Sequence, residues 1–143
     1  MSITTYLELR AHVETILAGF TTCPVYFVDQ PWDPPPISTN PAEPASYIVC
    51  DPLRIQSSDT VTAGGSAALE GSVGLMVYVD KRTGDATVLE LVEALRTLFL
   101  ATGADHDNCK FFEPMLDRAL VFTGDDAGRF ARQLFVPFSW VRG

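Results

Sequence analysis

The chain has 143 residues, the length of one domain, and 47% of them are hydrophobic, enough for a core and too many for a disordered chain. Its 18 acidic and 10 basic residues give a net charge of −8. Such a charge repels nucleic-acid phosphates, which argues against sequence-specific binding of DNA or RNA. An acidic surface still suits a basic partner, or a passage through which DNA slides without binding.

Three cysteines, Cys23, Cys50 and Cys109, lie far apart and are odd in number. That pattern is not a disulfide framework, so we interpret them as small, partly buried hydrophobic residues in a reducing cytoplasm. The segment Ser2–Glu8 lacks the charged start and apolar block of a signal peptide, and no apolar run is long enough for a bilayer. The sequence therefore predicts a protein made in the cytoplasm that does not enter a membrane.

An amphipathic helix is predicted at the start of the chain. Apolar residues recur there at spacings of three and four, which places them on one stripe: Tyr6, Leu9, Val13, Ile16, Leu17 and Phe20. Thr5 and Glu8 have the spacing of a capping box at the helix start. Gly19 is expected to end the helix in the left-handed conformation that glycine adopts easily.

Two strands and two loops are predicted next. Val25 to Val28 and Ser46 to Asp51 are rich in β-branched and aromatic residues, and the second strand can continue past Pro52 to Gln56. The prolines between Pro31 and Pro44 exclude helix and central strand, so this segment is predicted to be a long, stiff, exposed loop. The small and polar residues from Ser57 to Ala68 predict a second, mobile loop.

The segment from Gly71 to Asp80 gives the clearest strand prediction, because Val73, Leu75, Val77 and Val79 alternate with other residues and form one aliphatic face. A turn at 81–84 follows, and Asp85 is expected to cap a second helix. An alternative capping box lies at Thr87 and Glu90. The apolar stripe of this helix is Val88, Leu91, Val92, Leu95, Leu98 and Phe99, and Gly103 is the expected residue after its end.

The remaining residues predict strands at Lys110 to Phe112, Leu116 to Phe122 and Arg129 to Val141. Pro137 cannot donate a ladder hydrogen bond, so the last strand is expected to lie at an edge, carry a bulge or turn this position outward. The whole chain, 1–143, is predicted to be a single α+β domain. Its sheet is expected to be mostly antiparallel, with four to five strands and two helices packed on one face.

The opposite face of this sheet is expected to carry Met76, Tyr78 and some of the C-terminal aromatic residues, which is too apolar a surface to remain fully hydrated. The sequence does not predict an enzyme, cofactor or metal site. His12 lies in the first helix beside the apolar stripe, and His106 lies in the cluster Asp105–Cys109, whose adjacent residues rarely point at one centre. The segment 125–128 lacks the spacing of a calcium loop.

Three runs of the sequence carry a family resemblance: Glu70 to Val79, the helix end Ala94 to Phe99 (Ala-Leu-Arg-Thr-Leu-Phe), and the final strand Arg132 to Trp140 with Val-Pro-Phe inside it. Together with the order of elements, they resemble the tail terminator-like proteins of long-tailed bacteriophages, a group related to the lambda tail terminator. The resemblance covers most of the chain and includes no catalytic motif.

The resemblance implies a structural virion protein at the head-proximal end of the tail, made in the host cytoplasm. Such proteins form a ring, typically of six copies, that caps the tail tube, stops its polymerisation and joins the tail to the head. The implied partners are further copies of the chain, the tail tube protein and a head completion or connector protein, and DNA passes through the ring without specific binding.

Assembly contacts are expected from the loops at about 30–45 and 57–70 and from the sheet. The candidate residues are Trp32, Pro35, Pro36, Ile37, Val61, Thr62, Leu69, Tyr78 and Trp140. Two other interpretations stay open: a head–tail connector or tail completion protein of the neck, and a monomeric module whose long loops bind a peptide or small ligand.

Overall fold

The computed structural model describes residues 2–33, 35, 46–56, 67–81, 84–102, 108–121 and 128–142. Two helices and six strands lie in these ranges, each close to a segment that the sequence predicts. In chain order they are α1 (Tyr6–Ala18), β1 (Val25–Phe27), β2 (Tyr47–Gln56), β3 (Ala67–Asp80), α2 (Gly84–Thr102), β4 (Cys109–Phe111), β5 (Met115–Val121) and β6 (Arg129–Arg142).

The six strands form one sheet in the order β1-β2-β3-β6-β4, and β5 pairs with β6 beside β4. β1 runs parallel to β2, and the other pairs are antiparallel. This arrangement confirms the predicted α+β class and the mostly antiparallel sheet. It has six strands where four to five were expected, because the short strands β1 and β4 also pair into the sheet.

Both helices pack against the same face of the sheet and share one core with it. Each strand contributes alternate residues to this core, as the period of two requires. The buried members from the helices are Leu9, Val13, Ile16, Leu17, Val88, Leu91, Leu95 and Phe99, and those from the sheet include Ile48, Cys50, Val73, Leu75, Val77, Val79, Phe111, Leu134, Val136, Phe138 and Trp140. The opposite face of the sheet is thereby left without a helix among the described residues.

The start of α1 follows the sequence prediction and its end does not. The Thr5 hydroxyl accepts a hydrogen bond from the backbone N–H of Glu8 (3.1 Å), and the Glu8 carboxylate accepts one from the N–H of Thr4 (3.0 Å). Gly19 has φ −78°, so the expected left-handed ending is wrong. Its N–H instead donates to the Ile16 carbonyl oxygen (3.1 Å), which closes the helix with a tighter final turn.

α2 begins at Gly84, whose φ of +65° is the one positive value in the described residues. The sequence predicts that Asp85 precedes the helix as its cap. In the structure Asp85 instead lies inside the first turn. Its carboxylate oxygens accept hydrogen bonds from Nη1 of Arg132 in β6 (3.1 and 3.2 Å), which ties the start of the helix to the sheet. The predicted end at Gly103 lies outside the described residues.

β2 and β3 are both longer than a typical strand. β2 continues past Pro52 as predicted, with a register shift between Asp51 and Arg54. β3 begins at Ala67, because residues 67–70 pair with residues 139–142 of β6. The loop expected at 57–70 is therefore shorter at its end, and its residues 57–66 lie outside the described part of the chain.

Pro137 lies in an interior strand, not at an edge, because β6 is flanked by β3 on one side and by β4 and β5 on the other. The Pro137 carbonyl oxygen accepts from the N–H of Phe112 (2.9 Å). Since the N–H and C=O of a strand residue point to the same side, the missing N–H faces the junction between β4 and β5. The sheet tolerates Pro137 there because residues 112–114 belong to neither strand.

Candidate interaction surface on the open face of the sheet

The face of the sheet opposite the helices, here called the open face, is built from residues that alternate with the core residues. Strand register brings them side by side: Tyr47 pairs with Tyr78, Val49 with Met76, Met76 with Gln133, Ser72 with Pro137, and Met115 with Phe135. The predicted placement of Met76 and Tyr78 on this face is confirmed. Of the C-terminal aromatic residues, Phe135 lies here, whereas Phe138 and Trp140 belong to the core.

One end of the open face carries an aromatic cluster of four rings. Tyr47 and Tyr78 stack with centroids 4.4 Å apart and an interplanar angle of 5°. Trp32, from the segment after β1, lies 5.6 Å from Tyr26 and 5.7 Å from Tyr47. Contacts between aromatic rings stabilise a fold beyond the effect of their buried area. The cluster therefore holds the segment that contains Trp32 on the sheet.

Arg129 also holds this segment on the sheet, through contacts with Tyr47 and Pro35. Its guanidinium carbon lies 4.9 Å from the centroid of the Tyr47 ring, and Nη2 donates a hydrogen bond to the Pro35 carbonyl oxygen. Arg129 is 2% exposed, and its register partner Asp80 is 1% exposed. The first part of the proline-rich segment is thus bound to its own sheet and covers this end of the open face.

The other end of the open face contains a groove with a volume of about 520 Å³. The groove runs between β2 and β3 on one side and the β4–β5 junction on the other. Phe112 and Met115 are 42% and 62% exposed on its wall. The lining residues are Arg54, Glu70, Gly71, Ser72, Phe112, Met115, Phe135, Pro137 and Phe138.

Two cations flank the groove. Arg54 donates from Nε to the Asp51 carboxylate (3.2 Å), and its guanidinium carbon lies 5.5 Å from the centroid of Phe135. The Nζ of Lys110 lies 5.4 Å from the centroid of Phe112, and Lys110 makes no ion pair within the described residues. Glu70 also lines the groove, and Arg54 is paired with Asp51, so the groove has apolar walls with charges of both signs at its edges.

The wall with Phe112 is held in place by an ion pair with α2. Arg96 donates from Nε and Nη2 to the two carboxylate oxygens of Glu113, both at 2.6 Å. These hydrogen bonds hold the pKa of Glu113 below its ordinary value. Because the bond is bidentate, it fixes the orientation of the connection between β4 and β5.

The structure brings together three of the sequence-predicted contact residues. Trp32, Pro35 and Tyr78 all lie at the aromatic end of the open face. Leu69 packs against the core as a half-buried residue, and Trp140 is fully buried, with Nε1 donating to the Ile3 carbonyl oxygen (2.9 Å). Trp140 is therefore not on the surface of this fold. The remaining candidates, Pro36, Ile37, Val61 and Thr62, lie outside the described residues.

Sequence reasoning missed the residues of the groove. Phe135 could have been placed on the open face, since it alternates with the core residues Leu134 and Val136. Phe112 and Met115 gave no such signal, because they flank a short junction with no periodicity. Arg54 lies beyond the register shift in β2. Pro52 falls inside that shift and is the signal that could have marked it, since proline within a strand is found at edges and bulges.

The candidates for a reactive or metal site among the described residues are the cysteines, His12 and groups of metal-binding side chains. Burial raises the pKa of the Cys23 and Cys109 thiols to about 11 and that of Cys50 to about 12, which disfavours the reactive thiolate. His12 is buried against Phe111, with ring centroids 5.8 Å apart. Within the described ranges, no three His, Cys, Asp or Glu side chains are grouped so as to hold a metal ion. The same ranges contain no helix with the length and hydropathy needed to span a membrane.

Comparison with known proteins gives no match to a protein-family model and no match to a curated protein sequence. Solved structures do resemble the fold. One chain of a structure described as the virion of a native gene transfer agent particle is 18% identical and has a TM-score of 0.56. The match covers 94% of this chain and 95% of that one.

A second solved structure is 12% identical, with a TM-score of 0.50, over 90% of this chain and 86% of the other. At such low identities these likenesses establish the fold alone. Both alignments cover most of both chains, so each of these two neighbours shares the fold over nearly its whole length.

Proposed function

We propose that this chain is a structural component of a phage-type virion. The observation that carries the proposal is its likeness in fold to a chain of a gene transfer agent virion, across nearly the full length of both chains. The absence of a metal-binding group in the described residues and the inert thiols are compatible with a role in assembly.

More specifically, we propose the role of tail terminator. The chain would form a ring, of six copies in the typical case, at the head-proximal end of the tail, cap the tail tube and bind a head completion or connector protein. The runs Glu70 to Val79, Ala94 to Phe99 and Arg132 to Trp140 support this assignment by their resemblance to tail terminator-like proteins. The net charge of −8 suits a ring through which DNA passes without binding.

The open face supports assembly on independent grounds. Phe112 and Met115 expose apolar surface beside a groove, and exposed apolar surface that borders a groove is a feature of interaction sites. The aromatic end of the same face is covered by the segment with Trp32 and Pro35. The groove is thus a part of the open face that this segment does not cover.

The test combines light scattering on a sizing column with electron microscopy of the protein mixed with tail tubes. We expect rings, or caps at one end of each tube, and tubes that stop lengthening when the protein is present. Binding to a connector ring without binding to tubes would instead assign the chain to the neck. A monomer that ignores tubes at every concentration would contradict the proposal and favour a monomeric binding module.

A further inference from the structure

Besides the groove, the fold contains a cavity of about 500 Å³ between α2 and the connection from α1 to β1. Four of its lining residues come from α2 at the spacing i, i+3, i+4 and i+7, so they share one side of the helix. Its volume lies in the range of sites that bind small molecules or single side chains. The lining residues are Thr22, Cys23, Pro24, Pro35, Ser46, Thr87, Glu90, Leu91 and Ala94.

The walls of this cavity are fixed to the sheet. The Pro24 carbonyl oxygen accepts a hydrogen bond from the backbone N–H of Ile48 in β2 (3.0 Å), and the Pro35 carbonyl oxygen accepts one from Nη2 of Arg129. Leu91 is 4% exposed and belongs to the core that joins α2 to the sheet. The cavity is therefore a part of the fold that is in place before any ligand binds.

Ser46 contributes a buried hydroxyl group that lacks a partner. The residue is 9% exposed, and its Oγ makes no hydrogen bond within the described residues. A buried polar group without a hydrogen bond destabilises a fold, so such groups are rare in native proteins. Because Ser46 lines the cavity, a polar group of another molecule that enters the cavity can supply the missing hydrogen bond.

The charge at the cavity has a single sign. Glu90 is the one charged residue among the described residues that line it, is exposed, and makes no ion pair with any of them. Cys23 is a neutral thiol, since burial raises its pKa to about 11. Arg129, which contacts Pro35, is 2% exposed and has the similarly buried Asp80 as its register partner, so these two residues add no net charge.

We infer that this cavity binds the side chain of a lysine presented by a basic partner protein. The ammonium group donates hydrogen bonds to Ser46 Oγ and to the Glu90 carboxylate, and the aliphatic stem packs against Leu91 and Ala94. A lysine side chain has three N–H donors and no acceptor on a flexible apolar stem. It therefore suits a cavity that combines hydroxyl groups, one carboxylate and apolar walls.

The charge of the whole chain favours a different protein over a second copy. Chains with a net charge of −8 repel one another, whereas a basic partner is attracted. This inference rests on the proposed function for the kind of partner, which would be another protein of the virion. The chemistry of the cavity does not depend on that function.

Titration with a blocked lysine tests the cavity in the full-length chain. N-acetyl-lysine methylamide, added to isotope-labelled protein at up to the order of 100 mM, should give saturable NMR shifts at the backbone amides of Thr22, Ser46 and Glu90. The norleucine analogue has the same stem without the charge and should bind at least about 5-fold more weakly. Shifts that do not saturate would show that the lysine occupies no site and would contradict the inference.

Substitutions locate the binding groups. Glu90→Gln should weaken binding of the blocked lysine by about 5-fold or more and Ser46→Ala by about 3-fold. Glu93→Gln, on the same helix but outside the lining, is the matched control and should leave binding unchanged.

Ser46→Ala has a second expected result, because it removes a hydroxyl group that has no partner in the free protein. The urea midpoint of unfolding should be equal to or above that of wild type. A lower midpoint would show that the hydroxyl serves the fold and would contradict its role in binding.

The outcomes separate this inference from the proposed function. Lysine binding at the cavity together with failure to cap tail tubes would support the inference and contradict the tail terminator role. Capped tubes without saturable lysine binding, or with equal binding of the norleucine analogue, would overturn the inference and leave the proposed function standing. Self-association of wild type that is abolished by Glu90→Gln and by Lys81→Gln or Lys110→Gln would identify a second copy as the occupant and contradict a separate partner.

Discussion

Gly71 is a position where the space available excludes a side chain, although the backbone conformation would allow one. A Cβ atom at this position would lie 2.5 Å from the Arg54 carbonyl oxygen and 2.8 Å from Cζ of Phe138. The oxygen belongs to the backbone of β2 and the Phe138 ring is buried, so neither can move away easily. The lack of a side chain at Gly71 allows β2 and the Phe138 ring to approach β3 closely. Gly71 also lines the groove, so this close approach contributes to the shape of the groove.

We therefore expect Gly71→Ala to lower the free energy of unfolding by about 1–3 kcal/mol, the usual cost of overpacking. Gly74→Ala, in the same strand as Gly71, is the matched control. A Cβ atom at Gly74 would lie 3.6 Å from its nearest neighbour, the Cβ of Asp51, which is an ordinary van der Waals contact. Urea denaturation monitored by circular dichroism measures both. Equal effects of the two substitutions would show that the close approach at Gly71 is relieved without cost.

At the scale of elements, the segment before α1 is held by side chains from the other end of the chain. The Asn108 amide donates to the carbonyl oxygens of Ile3 (2.5 Å) and Val141 (3.1 Å), and its oxygen accepts from the Ile3 N–H (3.0 Å). Trp140 donates to the same Ile3 carbonyl. These bonds link the start of the chain to β6 and bury Ile3, which is 2% exposed.

Asn108→Ala should destabilise the protein by about 1–3 kcal/mol, because the Ile3 N–H and the Val141 carbonyl oxygen lose their bonds to the Asn108 side chain, while the Ile3 carbonyl oxygen keeps its bond from Trp140. Gln30→Ala, at an exposed position, should change stability by less than about 0.5 kcal/mol. Hydrogen exchange gives the more specific measurement, since the Ile3 N–H should lose protection in the Asn108 variant. Unchanged protection there would mean that the segment is held by Trp140 and apolar contacts alone.

At the scale of the whole molecule, the thiols of the buried Cys50 and Cys109 and of the half-buried Cys23 couple global stability to alkaline pH. Their pKa values are raised by burial from 9.0 to about 11 for Cys23 and Cys109 and about 12 for Cys50. The unfolded chain therefore releases these protons first, so stability is fully present below about pH 9 and declines as pH rises through the native values.

The expected decline in the free energy of unfolding is at most about 1.4 kcal/mol per thiol for each pH unit in this window. Denaturation in urea between about pH 8 and pH 11 measures it, and a variant with Ala at all three positions should lack this part of the decline. Labelling of the thiols by an aromatic disulfide reagent should be slow at about pH 8 and fast once the chain is unfolded. Fast labelling of the native protein would contradict the raised pKa values.

The sequence by itself determined the elements of this fold and the residues of its core. The apolar stripes of α1 and α2 and the alternation in β3 and β6 are local periodicities, and each survives in the structure because a single buried face stabilises it. Two local signals were wrong for different reasons. Gly19 keeps a right-handed conformation because its N–H closes a local turn with the Ile16 carbonyl oxygen, whereas Asp85 makes a tertiary contact with Arg132 of β6 instead of preceding the helix.

Only the tertiary structure decided which residues meet on the open face. Arg54, Ser72, Met115 and Phe135 come from four strands, and their proximity depends on strand order and register, which periodicity within one segment does not encode. The register shift after Asp51 moves Arg54 to the open face, where regular alternation would have turned it toward the helices. The groove exists because these long-range pairings place apolar walls and a cation together, and such pairings are a property of the folded chain as a whole.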